Sequence, residues 1–202
     1  MNPDRTASDR AFVGFLESLL KRDDRATLAA LRRALGQHPT AAVDAYRYVI
    51  PRVAPEVTGR ERDREEKIYF LIAGLFAFHQ IPWPKDETEQ GYTNFGASMA
   101  RLAAAMERLA PKKGISGVER RMNGLLACSF DDIREHLRHA VSLLKSKQIP
   151  VDWMRLIADL RWWNTEDRSV QRKWARAFWA STRESAEETE PAGQTEEDTN
   201  VR

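Results

Sequence analysis

Arginine recurs in this chain at intervals that place guanidinium groups on one face of a helix. Arg25 and Arg32 stand seven apart, with Arg33 beside the second, and Arg101 and Arg108 repeat the interval. Arg134, Arg138 and Lys145 fall in phase on a further segment, with Lys147 in its last turn. Arg168 and Arg172 share a phase with Arg176 and Arg183, with Lys173 at the margin, while Arg120 and Arg121 stand together in VERRMNGLL. A guanidinium keeps its charge and offers a fork of N–H donors that fits a phosphate. Several such stripes suit contact with a nucleic-acid backbone, where each contact releases condensed counterions without preference for sequence. No asparagine or glutamine stands at an obvious helix tip to read bases.

Other chemistries find less support. His136 and His139 in EHLRH are three apart, but the helical zinc motifs have different spacing and no further Cys/His cluster accompanies the pair. PKKGISG lacks the phosphate-loop pattern, and NFGAS has no strand before it, as a dinucleotide fingerprint requires. The single cysteine, Cys128, excludes an internal disulfide and a cysteine-based zinc site, and it reads as a small core residue. Nucleophile, base and orienting group are nowhere assembled, so the chain reads as non-enzymatic, without cofactor or metal.

The net charge of +2 conceals an asymmetry. Residues 184–202 carry seven acidic residues and one arginine, a net −6, which leaves +8 on residues 1–183. The expected organisation is one basic helical domain over 1–183 and an acidic, disordered tail over 184–202. A body this basic points to a polyanionic partner. No apolar run is long enough to span a membrane, and the charged start MNPDRTASDRAF lacks a signal-peptide core, so a cytoplasmic protein is expected.

These side chains must be held by helices, because apolar residues recur at helical spacing nearly throughout. Phe12, Phe15, Leu16, Leu19 and Leu20 form one stripe, and Leu28, Leu31 and Leu35 the next, ending at Gly36. Val43, Tyr46, Val49 and Ile50 follow, ended by Pro51, and residues 51–60 read as a loop. REEKIYFLIAGLFAFH is apolar nearly all round and is expected at the centre, with a polar loop over 80–93. From Asn94, a helix turns Phe95, Met99, Leu102, Met106 and Leu109 inward. Ser116 and Glu119 form a capping box ahead of Val118, Met122, Leu125 and Leu126. Asp131 or Asp132 caps a helix with Ile133, Leu137, Ala140, Val141 and Leu144 inside. Helices over PVDWMRLIADLRWW and from about Asp167 to Arg183 complete an all-α bundle of eight or nine helices.

The stretch RWWNTEDRSVQRKWARAFW (161–179) concentrates four tryptophans among basic residues. Phase puts Val170, Trp174, Ala177 and Phe178 on the core side and the arginines opposite. At least one of Trp162 and Trp163 is expected to cap the core, and Trp179 falls among the arginines, facing either a base or a protein neighbour.

LAALRRALG, NFGASMARL, VERRMNGLL and LLKSKQIPVDWMRLIADLRWW, followed by VQRKWARAFW, together resemble the CasB family over roughly residues 10–182. CasB is the small subunit of the type I-E CRISPR Cascade surveillance complex. The resemblance implies an all-α fold without catalysis, present as two copies against the backbone subunits and the large subunit. It implies a basic surface that holds strands of the R-loop, notably the displaced single-stranded DNA, with crRNA or duplex DNA as further partners. Carried over by position, the basic residues are Arg32, Arg33, Arg101, Arg120, Arg121, Lys145, Lys147, Arg168 and Arg172. The acidic tail matches no counterpart in the family; it either screens the basic face against casual RNA binding or is inert, the latter being the simpler expectation. Two other readings stand beside this one. LRRALGQHPTAAVDAYRYV prompts a helix-turn-helix regulator, and a helical scaffold could instead direct its arginines at acidic proteins.

Overall fold

The computed structural model describes residues 3–35, 43–89, 93–109 and 116–187, and they are all-helical, with ten α-helices and no strand. In chain order these are α1 (Pro3–Lys21), α2 (Arg25–Leu35), α3 (Val43–Val49), α4 (Gly59–Phe78), α5 (Lys85–Glu89), α6 (Phe95–Leu109), α7 (Gly117–Ala127), α8 (Ile133–Ser146), α9 (Trp153–Arg161) and α10 (Ser169–Glu187). A 3₁₀ turn, Ile50–Arg52, follows α3.

Helix starts are set by short polar side chains that satisfy free backbone N–H groups. Asp24 accepts from Thr27 N at 3.0 Å, Asn94 from Ala97 N at 3.1 Å, Ser116 from Glu119 N at 3.0 Å and Asp152 from Arg155 N at 2.9 Å. Asp132 precedes α8 but its side chain makes no cap hydrogen bond.

α4 is the axis. From Ile68 to Ala77 every residue is buried, and α2, α3 and α9 pack around it. The second half of the bundle is α6 laid along α10, with α7 and α8 beside them. Gly96 permits this approach, because a Cβ there would stand 2.1 Å from the Trp174 carbonyl oxygen. Gly96→Ala is expected to force α6 and α10 apart, costing about 3 kcal/mol, the upper part of the overpacking range. A lowered Tm in thermal unfolding checks this.

Several expectations need correction. Met106 is exposed, because burial along α6 fades after Ala103, and the Leu109 side chain lies outside the described residues. Residues 80–93 are more than a polar loop: Trp83 is buried, α5 interrupts the segment, and Pro82 bridges to Val151. The central helix begins at Gly59, because charged residues of its first turns extend it ahead of the apolar run. The last helix, α10, continues past Arg183 to Glu187. Residues 188–202, the greater part of the expected tail, lie outside the described residues.

Candidate nucleic-acid interface

The stretch 161–179 divides by burial. Trp163 and Trp174 are buried with ring centroids 4.8 Å apart, and Phe95 closes on Trp174 at 5.1 Å. Their polar edges are satisfied: Trp163 Nε1 donates to the Cys128 carbonyl (3.1 Å) and Trp174 Nε1 to Asp159 Oδ2 (2.6 Å). Burial raises the Asp159 carboxyl above the usual range, opposed by the indole hydrogen bond. Trp162 points outward at 60% exposure. Trp179 is at the surface with its Nε1 donating to Glu119 Oε1 at 3.5 Å, which sets the second half of α10 beside the first turn of α7.

That contact is one link in a belt. Further back, Arg168 at the entry to α10 donates to the Leu126 carbonyl at the end of α7. His136 of α8 lies against Gly124 of α7. Arg134, at the start of α8, crosses to α2 and donates from Nε and Nη2 to the Leu35 carbonyl (3.2 and 2.7 Å) and from Nη2 to that of Ala34 (3.2 Å). Arg134 thus links α2 to α8, and α8 packs on α7 and α7 on α10; the exposed cations of these segments are Arg32 and Arg33, Arg138, Arg120 and Arg121, and Arg168, Arg172 and Arg176.

The members differ in how far they are committed. The side chains of Arg32, Arg120, Arg138 and Arg176 form no hydrogen bond or ion pair with a described residue. Arg33 meets Asp44 at 3.7 Å and Arg172 meets Asp167 at 3.5 Å, both as open surface pairs that contribute little. Arg121 donates to its own helix at Gly117 O (2.9 Å). Arg134 is half-buried, desolvation lowers its pKa, and its N–H groups serve the last carbonyls of α2. Its role in this structure is to join helices.

The remaining candidates stand elsewhere. Arg25 pairs with Asp23 at 2.9 Å, at the far end of α2 from Arg32. Arg101 is engaged by Glu87 and lies over the Trp83 ring, 4.4 Å from its centroid. Lys145 covers the Phe78 ring at 4.3 Å, eleven residues or ~16 Å along α8 from Arg134, with Lys147 exposed at the helix end. Arg108 is in the last turn of α6, its side chain outside the described residues. Arg176 belongs to the belt although the resemblance did not carry it over. Its signal was phase alone, four residues after Arg172.

Among the described residues no three His, Cys, Asp or Glu side chains gather as a metal site. Burial, followed by the nearby Asp132, pushes the Cys128 thiol up to about 11, so it stays protonated at neutral pH. Cys128 closes α7, half-buried against the core. No described helix is long and apolar enough to cross a membrane.

The family model for CRISPR-associated protein Cse2 matches residues 27–179. A CRISPR-associated Cse2 protein from Thermus thermophilus is 34% identical over 168 residues, covering 82% of this chain and 87% of the relative. Among solved structures, M. ruber CasB is similar at 30% identity and TM-score 0.66, covering 91% of this chain and 98% of its own. A chain of a CRISPR RNA-guided surveillance complex aligns at 26% identity and TM-score 0.70, over 92% and 99% respectively.

Proposed function

Because the chain belongs to the CRISPR-associated Cse2/CasB family, the non-catalytic small subunit of type I-E Cascade, we propose that its arginine belt holds nucleic-acid backbone inside that assembly. The strand held is the displaced DNA strand of the R-loop. The observation that carries this reading is the run of exposed guanidiniums without described partners on four adjacent helices, Arg32, Arg138, Arg120 and Arg176.

The mechanism is energetic. Opening a target exchanges a DNA duplex for an RNA–DNA hybrid of similar stability, so modest contacts to the displaced strand tip the balance towards the open state. The protein needs no base readout for this, only cations spaced along a backbone. Its neighbours are the backbone and large subunits of Cascade and a second copy of itself, in the cytoplasm. The exposed Trp162 supplies an aromatic anchor for such contacts.

Binding of the isolated protein to a labelled single strand and to a duplex, across several salt concentrations, tests the reading. The expected result is affinity indifferent to sequence and falling steeply with salt, by about 0.7 in log K per decade for each phosphate contact on a single strand. No binding at any salt would favour a purely protein-binding scaffold. Tight, sequence-dependent duplex binding would favour a regulator.

A further inference from the structure

Apart from the belt, the structure holds a groove of about 940 Å³ between α1 and α9, joined by Pro82 and Trp83. None of the belt arginines lines it. Trp83 and Trp153 line it as buried side chains, and Trp162 joins them at 60% exposure. Cations line it too: Arg10 pairs with no described residue, Arg5 reaches Glu61 at 2.5 Å, and Arg155 reaches Asp159 at 3.3 Å. Of its acids, Asp9 is held by Arg161 and Tyr69, and Asp152 by Thr93 Oγ1 and the Arg155 N–H, which leaves Glu17. Two lining residues carry buried N–H donors with no acceptor among the described residues, Trp153 Nε1 and Arg5 Nε. Donors left in this way are costly, and oxygen atoms brought by an occupant would relieve them.

We propose that this groove receives an acidic segment of a different Cascade subunit, one whose carboxylates are separated by apolar side chains. This rests on the chain's place in that assembly, and not on the belt. Carboxylates suit Arg5, Arg10 and Arg155, and backbone carbonyls suit the unpaired donors. Apolar side chains suit the indoles, tryptophan and arginine being the residues that most often anchor protein interfaces. An unbroken run of phosphates fits less well, because Glu17 and the three indoles interrupt the cationic lining. A second copy of this chain also fits less well, since residues 1–183 carry +8 and two such bodies repel each other.

The test uses Cascade reconstituted with the full chain carrying Trp162→p-benzoylphenylalanine, then irradiated. The expected product is a crosslink to another subunit, mapping to a peptide that holds Asp or Glu beside apolar residues. A crosslink to nucleic acid, to a second copy, or to nothing in a fully assembled complex would overturn the proposal. In parallel, Arg10→Glu/Trp162→Ala changes two exposed side chains, so the melting temperature should hold. Retention of this variant on Cascade assembled from the other subunits is expected to weaken at least about tenfold. Equal retention of the variant and the unmodified chain would overturn the proposal. If the unmodified chain itself fails to join the complex, the assembly reading fails, and the groove's occupant with it.

Discussion

Arg161→Met is expected to destabilise the protein by about 3–5 kcal/mol, the cost of leaving buried carboxylates without their cation. Arg161 closes α9 and turns inward to two acids from distant helices. Its Nη1 and Nη2 reach Asp9 at 2.5 Å each, and its Nε and Nη2 reach Glu65 at 2.7–2.9 Å. Both carboxylates are buried, and Tyr69 donates a further hydrogen bond to Asp9 at 2.8 Å. Burial alone would lower the Arg161 pKa, but its hydrogen bonds to the two carboxylates outweigh that and hold it above its already high value. Burial, with Asp9 alongside, raises that of Tyr69. The cluster ties α1, α4 and α9 at one point. Urea unfolding should show a lower midpoint for Arg161→Met, whereas Asp9→Leu/Glu65→Met/Tyr69→Phe/Arg161→Met, which removes the cluster entirely, should recover most of the loss.

The second large effect is on binding. Arg32→Ala/Arg33→Ala combined with Arg120→Ala/Arg121→Ala removes four exposed charges from two separate parts of the α2–α8–α7–α10 series. None of the four side chains supports the core; Arg33 gives up a 3.7 Å surface pair and Arg121 a bond to its own helix. The unfolding midpoint is therefore expected to hold nearly constant. Affinity for single-stranded DNA at ~100 mM salt should fall on the order of 100-fold, and the slope of log K against log salt should flatten by about 3. Arg134→Ala offers a contrast within the same belt. It frees the carbonyls of Ala34 and Leu35, so its effect should appear in stability as well as binding.

Helix periodicity carried most of the fold. Leu28, Leu31 and Leu35, or Ile133, Leu137, Ala140, Val141 and Leu144, lie inside as their spacing predicts. Trp174 and Trp163 are core for the same reason. What periodicity could not supply was partnership between distant residues. Asp9, Glu65 and Arg161 read as three unrelated charges, since 152 positions separate the first from the last and each lies among other charged residues. Trp83 was hidden in a polar stretch because its burial depends on the bridge between Pro82 and Val151.

The interface was legible by side and not by commitment. Phase put Arg134 and Arg138 on one face of α8, and only the tertiary structure shows that the first serves the end of α2 while the second pairs with no described residue. Arg101 is spent on Glu87 and Trp83 for the same reason. Glu119 begins as half of a capping box: Ser116 accepts its N–H as expected, but its carboxylate goes to Trp179 and thereby sets α7 against α10. The order of the belt across four helices lay beyond the sequence, because no local pattern encodes which helix follows which in space.

The most direct measurement is the lifetime of the R-loop formed by Cascade reconstituted with this subunit, comparing the unmodified chain with Arg32→Ala/Arg33→Ala/Arg120→Ala/Arg121→Ala. Assembly of both complexes is verified first by the co-purification of every subunit. A markedly shortened lifetime, with the difference shrinking at high salt, is the predicted result. Equal lifetimes in two fully assembled complexes would contradict the assignment of the belt to the displaced strand.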